Sequence, residues 1–337
     1  MIERTAVATT AAPVEDAGGA SPSLGERIVG TSVGDRVYVA AITAFALAVP
    51  ALLGLVFLEV ARAGWPALRT FGFGFLTTSA WDPVQGHFGA APAIFGTLVT
   101  SIVALVLATP LAVGVAIFLS EYSPRWLRQP VGFLVDLLAA IPSVVYGLWG
   151  IFVLVPLLRV HVMPFLRDTL HLGVLPLFQG PAYGPSMLAA SLILAIMVLP
   201  YISSVSREVL LAVPRSQREA ALALGATRWE TIQKAVVQYA RSGIIGGIIL
   251  GLGRALGETM AVTMLIGNTH TISASLFAPG YTMASLIANE FSEASGDLHL
   301  SALMAVGLVL LVITLIVNGV ARWLVWRVGQ RAGVGAR

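Results

Sequence analysis

The chain lacks or is short of residues that most soluble proteins use freely. Among its 337 residues there is no cysteine, which excludes disulfide scaffolds, thiol catalysis and cysteine-ligated zinc. Charged residues make up only 11% of the chain, against roughly 25% in an average soluble domain. Because a globule so poor in charge cannot cover its surface with polar groups, the soluble, disordered and nucleic-acid-binding classes are nearly excluded.

Lysine is scarcer still, since nineteen of the twenty basic residues are arginine and Lys234 is the single lysine. A nucleotide-binding P-loop needs a lysine directly before Ser or Thr, after a glycine-rich run. Lys234 is followed by Ala235, so this chain has no such loop, and any ATP-driven activity requires an ATPase on a separate polypeptide. The patterns G-x-S-x-G and H-E-x-x-H are missing too. We therefore expect a chain that is not an enzyme by itself and has no cofactor or metal site of its own.

What the chain has in abundance is apolar sequence, at 57% of its residues. A bilayer core needs about 20 apolar residues in a helix. These runs predict an all-α, polytopic membrane protein with six transmembrane helices. The six runs are Val37–Leu58, Ile94–Leu119, Val131–Leu158, Met187–Val205, Gly243–Gly267 and Leu300–Val325.

The domain organisation follows from these runs. Residues 36–327 form the predicted transmembrane domain, between a flexible tail at 1–35 and a short tail at 328–337. With both termini placed in the cytoplasm, the inner segments hold fifteen basic residues and the outer segments four. Because inner loops are rich in Arg and Lys, this asymmetry predicts that orientation.

Three predicted outer segments, 59–93, 159–186 and 268–299, are each about 30 residues long. They form either a docking surface or an external gate, or their aromatic residues simply pack at the lipid interface. All five histidines fall in these segments or at their edges, without metal-ligand spacing, and we expect ordinary loop histidines.

The long inner loop, residues 206–242, has a helical composition. Ser216–Glu219 is an S-x-x-E capping box, which predicts the start of a helix. Gly225 suits the left-handed position that ends a helix, and Thr227–Glu230 is a second capping box. The pattern predicts helix, glycine turn and helix. These helices either lie on the membrane surface or project as a knob that inserts into a partner protein.

The residues of this loop carry a resemblance. Glu219, Ala220, Ala221 and Gly225 spell E-A-A-x-x-x-G, which resembles the loop motif in permease subunits of bacterial ABC importers. The resemblance implies a type I ABC importer permease fold with a cytoplasmic coupling helix. In that family the helix docks in the ATPase subunit and transmits its motion.

The fifth apolar run contains two charges. Arg254 and Glu258 are four residues apart, which predicts one shared face of a continuous helix. A lone charge at this depth costs several kcal/mol, so each needs a partner or water. Either the two residues form an ion pair that only fixes helix packing, or Arg254 faces an aqueous path and meets an anion. A guanidinium offers donors suited to phosphate-like oxyanions.

Further segments narrow the resemblance. Gly251–Val262, Ile141–Gly150, Gly96–Ser101 and Trp81–Pro83 resemble segments of the phosphate-specific permeases of Pst-type importers. The segments that contain Trp81 and Trp149 favour the PstC type over its PstA-type paralogue.

The Pst resemblance implies a function, partners and site residues. The function is the channel subunit of an ATP-driven phosphate importer, which moves phosphate by alternating access. The partners are a PstA-like permease, a PstB-like ATPase dimer that binds ATP and Mg²⁺, and a PstS-like phosphate-binding protein. Arg254 and Glu258 correspond to residues implicated in phosphate passage. Asp136 and Tyr146 are secondary candidates, and for Asp136 helix packing and a pore role stay equally open.

Two other functions stay open at this point. The nearer one is a permease for another oxyanion, such as molybdate or sulfate. The more distant one is a stand-alone ion-coupled carrier, which would work without a bound ATPase.

Overall fold

The computed structural model describes residues 33–333, and this part of the chain is mostly helical. One short hairpin pairs β1 (Trp81–Asp82) with β2 (His87–Phe88) in antiparallel register. The helices are α1 (Val33–Phe71), α2 (Gly74–Thr77), α3 (Ala91–Tyr122), α4 (Arg125–Ala140), α5 (Ser143–Thr169), α6 (Met187–Leu211), α7 (Arg215–Ala223), α8 (Arg228–Leu256), α9 (Met260–Leu265), α10 (Met283–Glu290) and α11 (Asp297–Gly333).

Six of the described helices are long and apolar enough to cross a membrane, namely α1, α3, α5, α6, α8 and α11. The prediction of six spans in an all-α fold is therefore confirmed. Residues 1–32 of the predicted N-terminal tail lie outside the described residues. The last helix continues to Gly333, so the segment predicted as a C-terminal tail from residue 328 is helical as far as that glycine.

The third apolar run is divided, although the sequence predicted one span from Val131 to Leu158. It contains the end of α4 and the start of α5, and Ile141 between them is extended. Pro142 causes the break, because it has no N–H to donate and it disfavours helical geometry at the preceding residue. The hydroxyl of Tyr146 donates to the carbonyl of Leu138 at 2.8 Å and so satisfies one of the freed acceptors.

The described structure divides into two parts, up to Val56 and from Phe57 onward. In the first part, residues 33–56 form a single helix whose residues are all exposed. In the second part the main core surrounds α6, whose buried residues include Ile193, Leu194 and Val198. An alanine stripe on α3 joins this core at Ala104, Ala108 and Ala112, and Ala116 on the same stripe packs in a separate, smaller cluster.

The inner loop has the predicted order of helix, glycine turn and helix. Gly225 adopts φ +83°, the left-handed conformation that ends α7. The Thr227 capping box is present, with Thr227 and Glu230 each bonded to the other's backbone N–H. The Ser216 box is wrong, because α7 already begins at Arg215 after Pro214, and Ser216 lies inside the first turn.

Candidate functional site

The candidate anion site lies where α8 ends. Arg254 is in the last turn of α8, where a cation is favoured by the helix dipole. Glu258 follows the end of the helix, in the short break before α9. Its Oε2 lies 2.6 Å from Nη1 of Arg254, and its Oε1 accepts a 3.4 Å hydrogen bond from the backbone N–H of Ala261. One carboxylate thus binds the end of one helix to the start of the next.

The predicted pair therefore forms, but not on one continuous helix. The sequence predicted a span through Gly267, whereas α8 ends at Leu256 and a new short helix begins at Met260. The break is stabilised by side chains that replace helical hydrogen bonds. The carboxylate of Glu258 caps Ala261, and the hydroxyl of Thr259 donates to the carbonyl of Gly257 at 3.4 Å.

Glycines determine how the two helices on either side of the break pack. Gly243, Gly247 and Gly251 of α8 all face α6, where added Cβ atoms would meet Val209, Val205 and Ile202. These three glycines let α8 approach α6 within the same chain.

The segment Ile141–Gly150 supports the other side of the break. A Cβ atom on Gly147 would lie 2.5 Å from the sulfur of Met264, and one on Gly150 would lie 2.6 Å from Leu265. Both contacts are with α9, so the two glycines of α5 let α9 pack closely and fix the position of the break.

Burial differs sharply between the two charged residues. The side chain of Glu258 is 2% exposed and that of Arg254 is 37% exposed. A buried carboxylate without a counter-charge is strongly unfavourable, so Arg254 neutralises Glu258 in this conformation. The partly exposed guanidinium still presents donors to a second oxyanion.

An open groove lies beside this site between α8 and α11. Its volume is about 590 Å³, and its lining includes Leu250, Gly253, Asn318 and Arg322. Gly246 and Gly253, unlike the glycines that face α6, have no atom within 4 Å of an added Cβ. This face of α8 is therefore not filled by the described residues.

The two secondary candidates form contacts of their own with residues other than Arg254 and Glu258. Asp136 of α4 forms a 3.3 Å ion pair with Arg207 of α6. The guanidinium of Arg207 packs against Gly132, where a side chain would leave it no room. Tyr146 is buried at the break between α4 and α5, where its hydroxyl is bonded to Leu138. In this conformation both side chains join helices to one another.

The predicted coupling residues lie at the opposite end of α8. Glu219 and Ala220 are exposed, Ala221 is half-buried, and Gly225 is exposed in the turn. From Arg228 to Arg254, α8 spans about 40 Å at 1.5 Å per residue. The structure thus brings Arg254 and Glu258 together and keeps the coupling residues far from them.

The sequence did not predict an ion pair that joins the long inner loop, residues 206–242, to the end of α3. Arg218 of α7 lies 2.8 Å from Glu121 at the end of α3, and both side chains are mostly buried. The two residues are 97 positions apart, so no local pattern relates them.

A second missed group, the hairpin cluster, consists of Trp81, His270, Tyr281, Glu290 and His299. The indole N–H of Trp81 donates to Glu290 at 2.8 Å, and His299 lies 3.0 Å from the same oxygen. His270 lies 3.5 Å from the other oxygen and stacks on Trp81. Two of the five histidines are therefore not ordinary loop residues.

Burial changes the acid–base properties of the hairpin cluster. It lowers the pKa of His270 below the usual 6.5, and the charge of Glu290 offsets only part of this effect. Burial also raises the pKa of Tyr281, whose hydroxyl accepts a hydrogen bond from Asn289. The neutral imidazole is thus the form that fits this environment.

Comparison with known proteins places the chain in a class of membrane transporters. Residues 108–330 match the family described as binding-protein-dependent transport system inner membrane component. The chain belongs to this family. Within the family, permeases work with a separate ATPase and a binding protein, and the chain is a multi-pass inner-membrane protein of this kind.

Particular relatives are more specific. The chain is 49% identical over 301 residues to the phosphate transport system permease protein PstC of Mesorhizobium japonicum, covering 89% of this chain and 92% of the relative. It is 48% identical over 293 residues to the PstC of Pasteurella multocida, covering 86% and 91%. Its fold is similar to that of a chain in inward-facing structures of the MetNI methionine ABC transporter, with a TM-score of 0.50 and 17% identity over 70% of this chain and 94% of that one.

Proposed function

We propose that the chain is the membrane channel subunit of an ATP-driven inorganic phosphate importer. Two relatives at 48–49% identity, aligned over most of both chains, are named phosphate transport permeases. The observation that carries the proposal is the pair of Arg254 and Glu258, in which a partly exposed guanidinium is held by a buried carboxylate.

The chemistry of this pair suits weak, reversible binding of an oxyanion. Arg254 binds phosphate oxygens through its fork of N–H donors, and Glu258 recovers the guanidinium when phosphate leaves. The exchange keeps the arginine paired in either state, whereas the buried carboxylate of Glu258 loses its counter-charge when phosphate binds, and this cost weakens phosphate binding. Binding that is too strong would prevent release, and competition from Glu258 limits its strength.

Partners supply the parts that this chain lacks. A PstB-like ATPase dimer binds ATP and Mg²⁺, since the single lysine of this chain is not in a P-loop. A PstS-like protein delivers phosphate from outside. A PstA-like permease packs on the unfilled face of α8, where Gly246, Leu250 and Gly253 are available for close helix contact.

The proposed orientation places both termini and the coupling loop in the cytoplasm. The fifteen-to-four distribution of basic residues supports it. The ATPase then binds the coupling loop from inside, while the binding protein docks on the loops at the other surface. ATP binding and hydrolysis alternate the access of Arg254 between the two sides.

The test is phosphate uptake by the complete complex in proteoliposomes. We expect Arg254→Gln to lower uptake by about 10- to 100-fold, which corresponds to the loss of about 1.5–3 kcal/mol of charged hydrogen bonding. Co-purification of the ATPase and the second permease should be unchanged. Arg62→Gln is the control, because it removes an exposed ion pair with Glu59 and should leave uptake intact.

Other outcomes would contradict parts of the proposal. Normal uptake in the Arg254 variant would assign the pair to helix packing alone. Uptake of sulfate or molybdate in preference to phosphate would make the substrate assignment wrong. An active chain that purifies without an ATPase would be an ion-coupled carrier.

A further inference from the structure

Helix α7 is attached to the rest of the chain in an unusual way. None of its nine residues is buried. Leu222 and Leu224, on and just after the helix, are 51% and 89% exposed. An apolar core therefore does not hold α7 in place, and polar contacts must determine its position.

Arg218 provides most of these contacts. Its guanidinium donates to the carbonyls of Leu210 and Val213, which end α6 and lead into α7. It also forms the 2.8 Å ion pair with Glu121, which belongs to α3. One side chain thus joins α7, the end of α6 and the end of α3.

Glu121 also contacts more than one helix. Its carboxylate binds Arg218, while its backbone carbonyl accepts a hydrogen bond from Arg228 at the start of α8. The guanidinium of Arg228 also lies 4.9 Å from the ring centre of Tyr122. The end of α3 is therefore bound to both helices that flank the Gly225 turn.

The ion pair is shielded from water. The side chains of Arg218 and Glu121 are 23% and 11% exposed. Another ion pair of this loop, Lys234 with Glu230, has side chains that are 75% and 42% exposed and a separation of 3.6 Å. A shielded pair is screened less by salt and depends more on its geometry.

The end of α3 departs from regular α-helical geometry, as parts of α5 and α8 also do. Residues Phe118–Tyr122 form a π-helical turn, a wider coil often found at functional sites in helices. Beyond it, α3 continues through the alanine stripe to Leu105, which lies close to Gly251 of α8. Gly251 is three residues before Arg254, so α3 connects Glu121 with the neighbourhood of the candidate anion site.

We propose that Glu121 is a positioning residue whose ion pair with Arg218 transmits displacement of α7 to α3. Because α7 has no buried side chain, a force on it reaches α3 through this pair. Breaking the pair leaves the ATPase bound to the exposed face of α7 but separates hydrolysis from transport. The inference rests on the proposed ATP-driven import.

The experiment measures phosphate transported per ATP hydrolysed, with the complete complex and its binding protein in proteoliposomes. We expect Glu121→Gln to lower this ratio by about tenfold, within the usual range of coupling between sites. ATPase co-purification and basal hydrolysis should stay within about twofold, since neither uses the pair directly. Lys234→Gln is the matched control, because it removes the exposed ion pair of the same loop.

A double-mutant cycle tests whether the two residues act through each other. Glu121→Gln combined with Arg218→Gln should lower the ratio no further than Arg218→Gln alone. The inference is overturned if the two substitutions lower the ratio additively. It is also overturned if Glu121→Gln has the same ratio as the unmodified chain. If Glu121→Gln does not assemble, Arg218→Lys, which keeps the charge but not the fork, must show the lower ratio in an assembled complex.

Failure of the proposed function has a different signature. If the unmodified complex moves no phosphate with ATP, the phosphate importer assignment is wrong. If the unmodified complex does transport phosphate with ATP, and the assembled Glu121 and Arg218 variants transport as much phosphate per ATP, only the proposed role of the ion pair is wrong.

Discussion

Two glycines of α3 show how a residue's surroundings, more than its type, determine what it does. A methyl group on Gly96 would overlap the main-chain carbonyl oxygen of Tyr281, whereas nothing lies within 4 Å of a methyl group on Gly114. The neighbouring Thr97 accepts a 2.9 Å hydrogen bond from the backbone N–H of Met283. The Gly96–Ser101 segment thus attaches α3 to the residues that precede and begin α10.

This contrast predicts opposite effects for the same substitution in one helix. Gly96→Ala should lower the free energy of unfolding by about 1–3 kcal/mol, because the backbone of Tyr281 must move. Gly114→Ala should be neutral or stabilising by up to about 1 kcal/mol, since alanine is the better helix former. Thermal unfolding in detergent checks both. Equal transition temperatures for the two variants would contradict the close contact at Gly96.

At the scale of elements, the β-hairpin is held by the loop that carries α10. Glu290 accepts from Trp81 and contacts both His270 and His299, which joins the loops 59–93 and 268–299. The ring of Trp81 also meets Phe88 edge-on at 5.0 Å. Three aromatic or imidazole rings thus contact one carboxylate.

The hairpin contact should weaken in acid. Burial holds the pKa of His270 below 6.5, so the docked state favours the neutral ring. Stability from this contact is complete above about pH 6.5 and falls as the pH drops below it, because the undocked state binds the proton more readily. We therefore expect the backbone amides of residues 81–88 to exchange hydrogen faster at about pH 5.5 than at neutral pH, once the intrinsic exchange rates at the two pH values are corrected for.

His270→Gln is the variant that tests the assignment of this effect. It should remove most of the pH dependence, whereas His87→Gln, at an exposed hairpin position, should keep it. A pH dependence that survives in the His270 variant would assign the effect to Glu290 or His299.

Hydropathy predicted the number of spans but not their interruptions. Apolar content continues across Pro142 and across Gly257, so a sum over the run cannot detect either break. The charged pair was predictable because Arg254 and Glu258 are close in sequence. The pair of Arg218 and Glu121 was not, since its geometry depends on how α3 and α7 pack.

At the scale of the whole molecule, the proposed function requires the coupling turn and the hairpin to face opposite sides of the membrane. Leu224 is 89% exposed beside the coupling turn, and Val84 is 96% exposed in the hairpin. The chain has no cysteine, so a single introduced cysteine is a unique label site.

We expect Leu224→Cys to react with a membrane-impermeant maleimide only in inside-out vesicles. Val84→Cys should react only in intact spheroplasts, because the proposed orientation puts the two loops on different sides of the membrane. The unmodified chain supplies the background. Labelling of both positions from one side would contradict the six-span orientation.

Because no residue of α7 is buried, its sequence can change during evolution without loss of core packing. Substitutions on its exposed face remove no core contacts, so the helix is free to diverge while the remainder of the fold stays fixed. Residues 219–224 are therefore a segment that can be replaced as a unit, since Arg218 anchors it at one end and Gly225 ends the helix at the other. With the ATPase docked on this helix as proposed, we expect that grafting the corresponding segment of another permease redirects the choice of ATPase without refolding the channel.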